Sequence, residues 1–292
     1  MPTLALSTGS LHNYGLNRAW AFAAEAGFEA VEVMIDARWD TRQPTYLRRL
    51  AAENGLPAAA LHTPFRPIPG FGDDYPACVR QALALAGEVG ARSVVAHPEG
   101  GDGSDWGGWL RKHYDELSPP GGPRLAIENL PLVPGKSGGK PRYRTHTVER
   151  IARFPCITLD TTHFATAQVD VLVAYDTLWE RVGHVHLSDF AAGKEHRLPG
   201  TGELPLDRFL AALVARGYDG VVSVELHPDA LGAGDDDVVL ARLREAVTFC
   251  SRGLAPAGAG DEATAPAGGR PPPPASLRPT PPLPNAGEGA GG

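Results

Sequence analysis

Histidines and carboxylates stand where short apolar runs end. Six of them recur in that position: His62 in Leu61-His62-Thr63-Pro64, His97 in Ala96-His97-Pro98-Glu99, Glu128 in Ile127-Glu128-Asn129, Asp160 in Leu159-Asp160-Thr161-Thr162-His163, His186 in His184-Val185-His186-Leu187-Ser188-Asp189, and Glu225 in Val224-Glu225-Leu226-His227. Imidazoles and carboxylates are side chains that bind divalent cations and move protons. At the end of an apolar strand they lose hydration, which is tolerable only with compensation. One cation compensates several groups at once; without it, converging carboxylates repel and some take up protons. Singly, each residue has an ordinary use. His62 or His97 could be a hydrogen-bonded structural histidine, Glu128 could pair with an arginine, and Asp160 could cap the next helix. The repetition of such groups at one strand position is what points to a shared metal site.

Those residues need elements to bring them together. Short β-branched or apolar runs at 3–7, 30–35, 58–62, 93–97, 124–128, 156–160, 183–187 and 220–225 read as strands. Segments with helical spacing lie between them at 17–26, 45–54, 75–89, 106–116, 145–152, 169–175 and 205–216, and a last one at 236–250 closes the series. Glycines such as Gly27 and Gly90 follow these helices as C-terminal caps. Alternating strands and helices of this number favour a closed (β/α)8 TIM barrel. An open doubly wound sheet would carry a glycine-rich phosphate loop after its first strand, whereas this chain reads Ser7-Thr8-Gly9-Ser10-Leu11. In a barrel, the C-terminal strand ends are where active sites gather.

The barrel is expected to occupy residues 1–253 as a single domain. Residues 254–292 are rich in proline, glycine and alanine, lack large apolar side chains, and read as a disordered tail. A hydrophobic content of 42% supports a large core, and a formal net charge of −7 speaks against a protein held to nucleic acid by bulk electrostatics. Cys78, Cys156 and Cys250 are far apart and form no CxxC, so neither a disulfide framework nor a cysteine zinc site is indicated. With no signal peptide and no bilayer-spanning run in the sequence, a cytoplasmic protein without a membrane partner is expected.

At these residues the chain resembles the xylose-isomerase-like barrel superfamily, which includes sugar and sugar-phosphate isomerases and epimerases as well as endonuclease-IV-type abasic-site nucleases. The resemblance covers roughly residues 1–253 and rests on Ala126-Ile127-Glu128-Asn129, Leu159-Asp160-Thr161-Thr162-His163, His184-Val185-His186-Leu187-Ser188-Asp189 and Pro199-Gly200-Thr201-Gly202-Glu203. It implies a metal held by Glu128, Asp160, His186 and Glu225, with Glu128 and Glu225 also moving the substrate proton. His196 and Arg197 occupy the region where family members place an arginine or histidine. His62, His97 and His163 match extra ligands of the nuclease branch, but Lys194 stands where that branch has an aspartate.

The expected activity is a metal-dependent isomerase or epimerase of a small sugar, sugar phosphate or related hydroxy-carbonyl compound, working through an enediolate. Three carboxylates and one imidazole suit Mn²⁺, Mg²⁺ or Co²⁺; recruiting His62, His97 or His163 would shift the preference towards Zn²⁺. Trp106 and Trp109 could wall a sugar face or simply pack their helix. The rival is cleavage of abasic DNA, for which the basic, glycine-rich loop at 134–144 is the best signal. That loop would equally suit a phosphorylated sugar, and a nucleic-acid partner is not expected. Barrels of this kind pair through their helices, so a homodimer stays open.

Overall fold

The computed structural model describes residues 1–135 and 140–256. Parallel strands β1 (Thr3–Ser7), β2 (Ala30–Met34), β3 (Ala58–His62), β4 (Ser93–Ala96), β5 (Arg124–Glu128), β6 (Ile157–Asp160), β7 (Val182–Leu187) and, after a hairpin of β8 (Asp189–Ala191) and β9 (Lys194–Arg197), β10 (Val221–Val224) make the sheet. They close in the order β1-β10-β7-β6-β5-β4-β3-β2. The fold is a TIM barrel.

Period-two alternation gives the strands two different faces. Leu4, Leu6, Val31, Val33, Val185, Leu187, Val222 and Val224 belong to the main apolar core. Apart from Val221, the intervening positions are small or polar: Ala5 and Ser7, Ala30 and Glu32, His184 and His186, and Ser223. Ala5, Ala30, Ala59 and Val221 form a separate buried cluster. Register links the polar positions across strands, Ser7 with Glu32 and Ser223 with His186.

The surrounding helices are α1 (Leu16–Ala26), α2 (Pro44–Asn54), α3 (Tyr75–Val89), α4 (Gly107–Lys112), α5 (Tyr114–Leu117), α6 (Val148–Ile151), α7 (Thr161–Thr166), α8 (Val171–Leu178), α9 (Leu206–Ala215), α10 (Pro228–Leu231) and α11 (Asp236–Leu254). Helix α1 shows why such segments dock: Leu16, Ala19, Trp20, Ala23 and Ala26 recur at three- and four-residue spacing and are buried. Trp20 also donates its indole N–H to the Leu56 carbonyl at 2.9 Å. Gly27 and Gly90 end α1 and α3 at φ 95° and 77°, a backbone region that costs glycine little.

Several boundaries differ from the sequence expectation. The helix expected at 106–116 is broken at His113 into α4 and α5. The helix expected at 145–152 shrinks to α6, because Glu99 captures the backbone N–H groups of Arg144 and Thr145 and the Thr145 hydroxyl. Helix α11 continues to Leu254, past the expected boundary at 253. The expected disordered tail falls mainly on 257–292, outside the described residues. Among the described residues, no helix is long and apolar enough to cross a membrane.

Candidate metal centre

The ends of strands β5, β6, β7 and β10 bring together four of the residues named from the sequence. One donor atom each from Glu128, Asp160, His186 and Glu225 lies within 4.8 Å of all the others. His186 Nδ1 is 2.9 Å from Glu128 Oε1, 2.9 Å from Glu225 Oε2 and 3.9 Å from Asp160 Oδ2. The two oxygens of Asp160 differ. Its Oδ1 accepts from the N–H groups of Thr162 and His163, each at 2.8 Å, and so caps α7. Its Oδ2 is buried without a hydrogen-bond partner.

The charges explain what that oxygen lacks. Burial pushes the Glu225 carboxyl up, but the His186 imidazole beside it wins and holds it at about 2. Burial is likewise outweighed at Glu128, where His186 and His97 hold the carboxyl well below the usual range. Burial pushes His186 down, yet Glu32, Glu225 and Glu128 together raise it well above the ordinary imidazole value. Three carboxylates therefore meet at one imidazole, and even with His62, His97 and His163 flanking them Asp160 Oδ2 is left without a hydrogen-bond partner. An unpaired buried carboxylate oxygen costs several kcal/mol on general grounds. The donor set and the orphaned oxygen both fit a divalent cation, with further coordination positions left for oxygen ligands.

The remaining predicted residues surround this set. His62 donates Nδ1–H to the Thr63 carbonyl at 2.7 Å, and its Nε2 lies 3.3 Å from Glu128 Oε2. His97 Nε2 is 2.8 Å from the same oxygen, so Glu128 faces His186 with one oxygen and this pair with the other. His163 donates Nδ1–H to the Asn129 carbonyl at 2.8 Å. It groups with Asp160 and His196, as His62 and His97 group with Glu128. His196 and Arg197 part company. His196, at φ 55°, reaches the cavity, whereas Arg197 is not among its lining residues.

A cavity of about 1180 Å³ opens above the donor set and is bordered by His62, His97, Glu128, His163, His196 and Glu225. Phe65 and Trp106 add apolar wall, and Trp106 stacks on Tyr75 with ring centroids 3.8 Å apart. Trp109 lies outside this lining and packs with Arg80 and His113. From the 134–144 loop, Tyr143 reaches the cavity, while Arg144 is tied to Glu99 and Asp105. Positions 136–139 of that loop lie outside the described residues.

Three polar residues escaped the sequence reading. Glu32 and His184 sit wholly buried with His186. The signal for Glu32 was available: one carboxylate in the otherwise apolar run Ala30-Val31-Glu32-Val33-Met34. Glu195 has a buried, partnerless Oε1, 3.8 Å from His163 Nε2. The β8–β9 turn puts Ala192 and Gly193 at φ 51° and 75°, the backbone of a two-residue hairpin. Ala-Gly is a weak signal for such a turn, so the segment reads as plain loop.

A family model described as "Xylose isomerase-like TIM barrel" matches residues 20–244. An uncharacterized protein of Mycobacterium leprae (strain TN) is 23% identical over 253 residues, covering 76% of this chain and 88% of that protein. A solved D-tagatose 3-epimerase-like protein superposes with a TM-score of 0.60 at 20% identity, covering 87% of this chain and 100% of the other. A solved AP endonuclease, family 2, from Brucella melitensis gives a TM-score of 0.61 at 21% identity, covering 78% and 94%.

Proposed function

The chain belongs to the xylose isomerase-like TIM-barrel family, and we propose that it is a metal-dependent isomerase or epimerase of a small sugar, sugar phosphate or related hydroxy-carbonyl compound. The observation that carries this reading is the convergence of Glu128, Asp160, His186 and Glu225 around the orphaned Asp160 Oδ2. These four residues would hold the cation through one donor atom each. When bound, it would polarise a substrate carbonyl and offset the negative charge that develops as the neighbouring C–H breaks.

The chain's own groups supply the rest. Glu128 and Glu225 are ionised and border the cavity, so either can accept a carbon-bound proton. One takes it and the other returns one, to the neighbouring carbon for isomerisation or to the opposite face for epimerisation. Positioned proton transfer of this kind typically contributes about 10²–10⁴-fold. His62 and His97, held against Glu128, are placed to bind substrate hydroxyls. Phe65 and Trp106 would cover one side of a bound substrate with apolar surface. Names of similar solved proteins, a D-tagatose 3-epimerase-like protein among them, point the same way.

Proton exchange tests the reading across many candidate substrates at once. Protein loaded with Mn²⁺, Co²⁺, Mg²⁺ or Zn²⁺ is incubated in D₂O with a panel of ketoses, aldoses and their phosphates. Metal-dependent deuterium incorporation beside the carbonyl, read by NMR, is expected for at least one compound. No exchange with any panel member and any metal would count decisively against it.

A second reading has its own observation. His62–His97–Glu128 and Asp160–His163–His196 are further donor groups beside the first. More than one cation in the site would suit hydrolysis of a phosphodiester at an abasic DNA site. Metal content of one ion per chain, with an intact abasic duplex after incubation at stoichiometric protein, would remove this alternative.

A further inference from the structure

Below the cavity, Glu32 is fully buried and points both carboxylate oxygens at histidines of another strand. It reaches them through the barrel interior, because β2 and β7 are not neighbours in the sheet. His186 Nε2 lies 3.1 and 3.2 Å from the two Glu32 oxygens. An ionised carboxylate only accepts, so Nε2 carries the proton in this contact. The other ring nitrogen, Nδ1, faces Glu128 and Glu225. On its far side Glu32 is held by His184, whose Nε2 is 2.6 Å away though not aligned for a hydrogen bond. His184 is itself anchored by Nδ1 to the Ser93 hydroxyl at 3.1 Å.

We propose that Glu32 is a positioning residue for the metal centre: by holding His186 through Nε2–H, it presents the Nδ1 lone pair to the cation. This rests on the metal-centre reading above. Turning the imidazole over would set ring carbons against both Glu32 and the carboxylates, so the contact fixes ring orientation as well as tautomer. A carboxylate on the remote nitrogen also makes the ligating nitrogen a better donor, and loss of such a partner typically weakens metal binding about 10–100-fold. A buried carboxylate between two imidazoles is otherwise expensive, and apolar side chains of similar volume would fill the space equally well.

The experiment compares Zn²⁺ and Co²⁺ binding to metal-stripped wild type, Glu32→Gln and His184→Asn by calorimetric titration. Glu32→Gln is expected to bind about 10–100-fold more weakly, with an altered Co²⁺ visible spectrum. His184→Asn leaves the Glu32–His186 contact in place and is expected to bind within about 3-fold of wild type, even if its melting temperature falls. Should Glu32→Gln fail to fold, ¹⁵N-histidine NMR of Zn²⁺-loaded wild type decides: the proposal requires the metal on Nδ1 of His186 and the proton on Nε2. Wild-type affinity in Glu32→Gln, or the metal on Nε2, overturns the role of Glu32 and leaves the proposed activity standing. Wild type that binds neither ion overturns both, while metal binding that depends on Glu32, without proton exchange on any substrate, removes only the isomerase reading.

Discussion

Two carboxylate–histidine groups lie one beneath the other in the barrel, and His186 belongs to both. The lower group sets one carboxylate, Glu32, between the imidazoles of His184 and His186. The upper group sets Glu128, Asp160 and Glu225 around His186 and leaves an Asp160 oxygen without a partner. Both are buried against the same apolar strands, so burial alone does not separate them. The partnerless oxygen does. Imidazoles face both oxygens of Glu32, whereas Asp160 Oδ2 has no hydrogen-bond partner although His62, His97 and His163 flank the upper group, and such an oxygen beside a cavity suits a cation from outside.

The largest break in this comparison is expected at Glu128, which faces His186 with one oxygen and His97 with the other. Glu128→Gln should lower kcat on the substrate found by proton exchange about 10³-fold or more, since a metal donor and a candidate base are lost together. His184→Asn, in the lower group, should leave kcat within about 3-fold, because it touches neither substrate nor metal. Steady-state turnover of the two variants checks the contrast, and equal losses in both would erase it.

A smaller effect is expected at Asp160. Asp160→Asn keeps an oxygen able to cap α7 in the manner of Oδ1, but replaces the partnerless Oδ2 by an uncharged group. Metal affinity should fall on the order of 100-fold, while the metal-free protein should melt no lower than wild type because the buried, partnerless carboxylate oxygen is gone. Calorimetric titration and a thermal scan of the stripped protein measure the two halves. A large loss of stability without metal would mean that Asp160 serves mainly as a cap.

The sequence showed the upper group and hid the lower one for a physical reason. Glu128, Asp160 and Glu225 follow apolar runs at strand ends, where polar residues mark an edge that a barrel turns into a site. Glu32 lies in mid-strand, and its partners are 152 and 154 residues away. Only closure of the sheet brings them together, and a linear pattern does not encode that pairing. His184 is inward-facing by the same two-residue step that places His186, so its neighbours were hidden though its orientation was not. The strand series and barrel closure were readable because parallel strands buried on both faces leave long apolar runs. The late start of α6 was not, since the Glu99 contacts that hold Arg144 and Thr145 come from another loop.

The mildest test compares the groups through pH. In the metal-free protein His186, His62 and His163 hold their protons more tightly than the ordinary imidazole value of 6.5: burial opposes this in each case and the facing carboxylates outweigh it. A raised folded-state pKa adds stability that is complete below the unfolded value and is lost as pH climbs through the folded one. Burial lowers His97 and His184 instead, so their stabilisation is present above 6.5 and lost towards acid; it does not offset the alkaline decline. The metal-free melting temperature should therefore fall as pH rises from about 6.5 to about 8.5. Metal binding needs deprotonated ligands, so its stabilisation grows over the same range. The gap between loaded and stripped protein should widen by several degrees, at about 2–4 °C per kcal/mol for a domain of this size. Differential scanning calorimetry at both pH values reads that gap. A constant gap would show that protons and cation do not compete for the upper group, and the distinction between the two layers would then rest on geometry alone.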